Sequence, residues 1–73
     1  MPDTNELRRY LNRSQEWELY NRTDHDYYRC KNSDGTYRRI KVSFGNKEIG
    51  YRLWQHILKH EIKITQEEFN AGI

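Results

Sequence analysis

The fold is decided by residues 27–44, Tyr27-Tyr28-Arg29-Cys30-Lys31-Asn32-Ser33-Asp34-Gly35-Thr36-Tyr37-Arg38-Arg39-Ile40-Lys41-Val42-Ser43-Phe44. Successive side chains of a strand point to opposite faces, and both halves of this stretch alternate in that way. Tyr28 and Cys30 fall on one side, with Tyr27, Arg29 and Lys31 on the other; after the turn, Ile40, Val42 and Phe44 fall on one side, with Arg39, Lys41 and Ser43 on the other. Asn32-Ser33-Asp34-Gly35 between them is turn chemistry, and Gly35 is available for a positive φ. The pattern predicts an antiparallel hairpin with one apolar and one polar face.

Outward from the hairpin the same logic continues. Upstream, Trp17 and Leu19 alternate with Glu18 and Tyr20, predicting another strand. Before it, Leu7, Tyr10 and Leu11 recur at helical spacing, with Arg8, Arg9 and Arg13 on the opposite face. Asp3 or Thr4 can cap this helix, Glu6 stands three residues after Asp3 as in a capping box, and the helix is expected to end near Asn12. Downstream, Leu53, Trp54, Ile57 and Leu58 form the apolar stripe of a second helix. Thr65-Gln66-Glu67-Glu68 is a further capping box, opening a last short helix that carries Phe69. The expected fold is α+β, in the order α-β-β-β-α, with a three-stranded antiparallel sheet, helices on one face and a short C-terminal helix. Two helices cover only one side of such a sheet, so the other is expected to face solvent.

Composition agrees with a single thin-cored domain over residues 1–73. Leu, Ile, Val and Phe make up only 14 of the 73 residues, and six Tyr and two Trp supply the missing bulk; aromatic side chains bury large areas while keeping a polar handle. No apolar run exceeds two residues, which excludes a membrane span and a signal-peptide core. The single cysteine, Cys30, excludes an internal disulfide framework, and a cytoplasmic protein is expected.

The formal net charge of +2 hides a division. Residues 27–47 carry six basic side chains against one acid, for a local charge of +5, between flanks of −2 and −1. With strand alternation extended back to His25, the polar face gathers His25, Tyr27, Arg29, Lys31, Tyr37, Arg39 and Lys41. Cations suit phosphate, tyrosine rings suit unstacked bases, and an imidazole titrates near neutrality. RNA carries its own nucleophile, the 2′-hydroxyl. A ribonuclease therefore needs a base such as His25 and a cation such as Arg29 or Arg39 at the phosphate; no metal or other cofactor is required.

Several motifs carry less. His56 and His60 are four apart, but position 57 is Ile and no third ligand is near, so a solvated helix face is the better reading. Cys30 reads as a buried small residue, and Trp17 and Trp54 as core anchors. Only Lys47 and Arg52 bracket the start of the second helix, which argues against the usual mode of duplex RNA binding.

The chain resembles the HicA (YcfA-like) toxins, small mRNA interferases of toxin–antitoxin pairs with a double-stranded-RNA-binding-like fold. The resemblance runs through Thr23-Asp24-His25-Asp26-Tyr27-Tyr28-Arg29, Asp34-Gly35, Val42-Ser43-Phe44, Lys47-Glu48-Ile49, Ile57-Leu58-Lys59 and Ile64-Thr65-Gln66-Glu67-Glu68-Phe69. It implies a metal-independent endoribonuclease acting on mRNA with His25 as the catalytic residue. It also implies a HicB-type antitoxin as protein partner. This chain has Thr23-Asp24 where the family usually has small residues before the histidine, and Asp26 where the family often has a second histidine. The alternatives from other function classes are a non-catalytic RNA-binding or inhibitor module on the same fold, and a docking domain for an acidic protein.

Overall fold

In the computed structural model, which describes residues 2–73, the elements follow in the expected order. Helix α1 spans Thr4–Arg13, strands β1, β2 and β3 span Trp17–Arg22, Asp26–Lys31 and Tyr37–Val42, and α2 spans Tyr51–His56. A π-helical segment, Ile57–Ile62, continues α2, and α3 spans Gln66–Gly72. The sheet is antiparallel in the order β1-β2-β3.

Local chemistry explains the helix starts. The Asp3 carboxylate accepts from the Glu6 amide while the Glu6 side chain returns to the Asp3 amide, and Thr65 and Glu68 repeat the arrangement at α3. Each box satisfies two amides that the first helical turn otherwise leaves without partners. Gly35 takes φ 91° in the β2–β3 turn, where Asn32 donates from its amide to the Thr36 carbonyl and from its side chain to the Thr36 hydroxyl.

The core lies between the sheet and the helices. Leu7 and Leu11 of α1, Trp54 of α2, Ile57, Leu58 and Ile62 of the π segment and Phe69 of α3 meet Trp17, Tyr28, Cys30, Ile40 and Val42. Trp54 and Phe69 pack edge to face at 4.7 Å, and Tyr10 closes over Phe69 at 5.2 Å. The Trp54 indole donates to Gln66 Oε1, which meets the polar requirement of a fully buried ring. No helix of the described residues is long and apolar enough to cross a membrane.

Three apolar residues expected inside lie largely outside. Leu19 does share a face with its partner Tyr28, but β1 is an edge strand and only Trp17 is covered there, which leaves Leu19 44% exposed. Leu53 sits a quarter turn off the centre of the stripe set by Trp54, Ile57 and Leu58 and is 57% exposed. Phe44 follows the end of β3 at Val42, so strand alternation no longer governs it, and it emerges 40% exposed.

Arg8, expected on the solvent side of α1, instead reaches the sheet. Its guanidinium donates to Asp26 Oδ2 at 2.8 Å and to the Ser43 carbonyl at 2.7 Å. Arg22 approaches the other oxygen of Asp26 at 3.1 Å. Arg38 likewise turns inward: it donates to the carbonyls of Glu61 and Ile62 and stacks over Trp17, tying β3 to the end of the π segment.

Candidate nucleic-acid interface

The uncovered face of the sheet is built by alternation and register. Tyr27, Arg29 and Lys31 point outward from β2, opposite Lys41, Arg39 and Tyr37 of β3 respectively. Glu18 of β1 stands across from Arg29. The pairing then slips: Leu19 faces Tyr28 but Asn21 faces Tyr27, so Tyr20 is the extra residue of a bulge. That insertion changes the phase of β1 and brings Arg22 level with Asp26 on the inner side.

Not every cation of this face is available to a ligand. Arg29 pairs with Glu18, lies 5.3 Å from the Tyr20 ring and 4.7 Å from the Tyr37 ring, and so braces all three strands. Glu18 answers the crowding of Arg29 against Arg39, a like-charged pair directly opposite each other. Among the described residues, Lys31, Arg39 and Lys41 carry neither an ion pair nor a side-chain hydrogen bond, and all three are exposed.

His25 does not open the second strand. β2 begins at Asp26, and His25 closes a three-residue turn, Thr23-Asp24-His25, between the facing residues Arg22 and Asp26. The Thr23 amide donates to the His25 carbonyl across this turn. The imidazole is half-buried between Tyr27, edge-on at 6.2 Å, and Phe44, nearly parallel at 6.5 Å and 19°. Nδ1 is closed off from solvent with no aligned hydrogen bond, and Asp24 Oδ2 lies 3.2 Å from it. Nε2 makes no hydrogen bond and, unlike Nδ1, is not closed off from solvent.

The two carboxylates flanking His25 in sequence have separate environments. Asp26 points inward to Arg8 and Arg22 and is 1% exposed. Asp24 stays on the surface, where Oδ1 accepts from the Tyr27 hydroxyl at 2.9 Å and from the Thr23 hydroxyl at 3.0 Å. The Tyr27 bond first, then the Thr23 bond and the neighbouring His25 imidazole, hold the Asp24 carboxyl at a pKa of about 2. The same bond to Asp24 pushes the Tyr27 phenol above its usual range, so it remains a donor.

Of the residues expected to act together, Tyr27 adjoins His25 and Lys41 stands across from Tyr27, whereas Arg29 and Arg39 lie two residues further along, roughly 13 Å of strand from the imidazole position. Phe44 and Arg22, whose guanidinium sits 5.7 Å from the Phe44 ring, were not anticipated at this end of the sheet. Period two pointed Phe44 into the core, but Gly45-Asn46 directly after it, with Gly45 at φ 82°, is the local signal that the strand stops short of Phe44. Two clefts, one lined by Pro2, Glu6, Gln66, Phe69 and Asn70 and one by Glu16, Lys31, Asp34, Arg38 and Lys63 among others, both exclude His25. His56 and His60 stack at 4.9 Å, and no group of three or more His, Cys, Asp or Glu able to hold a metal gathers among the described residues.

No protein-family model, curated protein or solved structure matches the chain. What this face can do follows from its own residues.

Proposed function

We propose that the chain is a HicA-type toxin, a metal-independent endoribonuclease that cleaves single-stranded mRNA with His25 as general base or acid. One observation carries the reading: an imidazole with Nε2 open stands at the head of a solvent-facing sheet surface that carries three uncommitted cations, Lys41, Arg39 and Lys31. Nε2 would take the proton of a 2′-hydroxyl as its oxygen bonds the adjacent phosphorus. The 5′-oxygen departs and takes up a proton, leaving a 2′,3′-cyclic phosphate. Lys41, across from Tyr27, is the first of the three uncommitted cations along the face from the His25 end, and Arg39 and Lys31 would hold the chain beyond it. Phe44, Tyr20 and Tyr37 are exposed rings on which unpaired bases can stack. By resemblance, the protein partner is a HicB-type antitoxin that covers this face.

The test is cleavage of single-stranded RNA in EDTA. The wild type is expected to cut and His25→Ala to lose about 100- to 10,000-fold in rate, the usual weight of general acid–base catalysis. Equal cutting by both proteins, or intact RNA with and without added metal, overturns the nuclease reading. Binding that survives without cleavage assigns the chain to the non-catalytic RNA-binding class.

A further inference from the structure

The geometry points to Asp24 as the positioning residue of His25: one carboxylate oxygen is anchored by Tyr27 and Thr23, and the other fixes the imidazole with the proton on Nδ1 and Nε2 free to accept. The inference takes its chemical consequence from the nuclease reading above, but its geometry stands without it.

The two oxygens of Asp24 have different tasks. Oδ1 receives both hydroxyl donors, Tyr27 at 2.9 Å and Thr23 at 3.0 Å. Oδ2 is left to face Nδ1 at 3.2 Å, and that nitrogen is shut off from water with no other partner. A neutral imidazole has one N–H and one bare nitrogen, and the tautomer follows from what each nitrogen meets. A bare Nδ1 against a carboxylate oxygen would set two acceptors together, so the proton belongs on Nδ1. Nε2 then carries the lone pair that a base needs, on the side open to substrate. When Nε2 takes a proton, the imidazolium that forms gains the carboxylate as counter-charge, the role an acid plays behind a catalytic histidine. The four side chains, Thr23, Asp24, His25 and Tyr27, belong to the β1–β2 turn and the first residues of β2, so the hairpin itself preorganises the unit.

Asp24→Asn inverts this arrangement with little change of shape. The two hydroxyls hold the amide oxygen at the Oδ1 position, which forces the amide NH2 to face Nδ1. A donor there selects the opposite tautomer, with the proton on Nε2.

The experiment reads long-range 1H–15N correlations of the His25 ring in uniformly labelled protein, in mildly alkaline buffer where imidazoles are neutral, with His56 and His60 as internal references. The wild type is expected to show the Nδ1–H form, Asp24→Asn the Nε2–H form and Asp24→Ala a mixture. In RNA cleavage, Asp24→Asn is expected to lower kcat about 10- to 100-fold with KM nearly unchanged, in line with other partners that orient a functional histidine. Unchanged thermal unfolding shows that the turn has kept its shape. The same tautomer in wild type and Asp24→Asn overturns the inference, as does unchanged kcat despite an inverted tautomer. A tautomer that inverts in a protein unable to cut RNA leaves the positioning intact and removes the nuclease reading instead.

Discussion

Two aspartates, Asp24 and Asp26, flank His25, and the start of β2 at Asp26 separates their fates, because Asp24 stays in the turn where strand alternation does not apply. Asp26 shares the parity of Tyr28 and Cys30, so it faces the helices, where a carboxylate persists only if paired. Arg8 supplies that pairing from α1 and is itself only 19% exposed along its side chain. Asp26→Ala therefore leaves a largely covered guanidinium without its anion, and a loss of about 2–3 kcal/mol is expected, less than for a wholly buried pair because Arg22 is already solvated. Chemical denaturation measures it directly: a clear fall in the denaturant midpoint with an unchanged slope is expected, and Asp26→Asn, which keeps one acceptor for Arg8, should fall less. Phe44 has the opposite signature, a large ring that contributes to a surface rather than to the core. Phe44→Ala is expected to weaken single-stranded RNA binding by about 1–3 kcal/mol with little change in stability; a protein that unfolds more easily and binds RNA as before would return Phe44 to a structural role.

Among the elements, α1 and α3 were legible because each start is a local transaction: a carboxylate or hydroxyl and a glutamate three residues later suffice. The β2–β3 hairpin was legible for the same reason, since alternation and Gly35 specify it within twenty residues. The bulge at Tyr20 and the π segment were not, because each is a response to packing across the molecule. With α-helical spacing, Glu61 would stand four residues after Ile57, in the middle of the apolar stripe; the wider π turn advances Ile62 to the core and moves Glu61 to the margin. The remaining burial still pushes the Glu61 carboxyl above its usual range, with His56 and His60 partly offsetting it. A raised pKa in the fold means that the folded state resists ionisation, so stability is fully present below the unfolded-state value of 4.5 and falls as pH rises through the folded value. Glu61→Gln is thus expected to raise Tm at neutral pH and to leave it unchanged well below pH 4.5. The π segment ends on Lys63, whose φ of 60° is left-handed backbone where glycine is the usual residue. Lys63→Gly is expected to stabilise by about 0.5–1 kcal/mol, the cost of a Cβ in that conformation less the added freedom of the unfolded chain, and to raise Tm by a few degrees.

At the scale of the whole molecule, the aliphatic shortage and the concealed charge have one cause. The helices cover only the inner face of the sheet, so the outer face needs no aliphatic side chains and can hold the charge of residues 27–47. The sequence put His25, Tyr27, Arg29, Lys31, Tyr37, Arg39 and Lys41 on that face as one group, and the fold divides them. Arg29 is committed to Glu18, Tyr20 and Tyr37, whereas Lys31, Arg39 and Lys41 are uncommitted. Pattern alone could not draw this distinction, because it depends on which residue of β1 lands opposite Arg29, and that depends on register. The division predicts two classes of variant. A cation that meets a phosphate releases counterions, and for single strands each one contributes about 0.7 to the slope of log affinity against log salt. Lys41→Gln, Arg39→Gln and Lys31→Gln should each reduce the slope by about that amount, together by about 2, with denaturant midpoints unchanged because none of the three touches the core. Arg29→Gln should lower the midpoint, since it breaks an ion pair and two ring contacts at once, while changing the slope less than any of the three. Fluorescence anisotropy of a short labelled RNA across a salt series measures all four. Equal slopes in wild type and the triple variant would remove the outer face as the RNA surface, whatever the fate of His25.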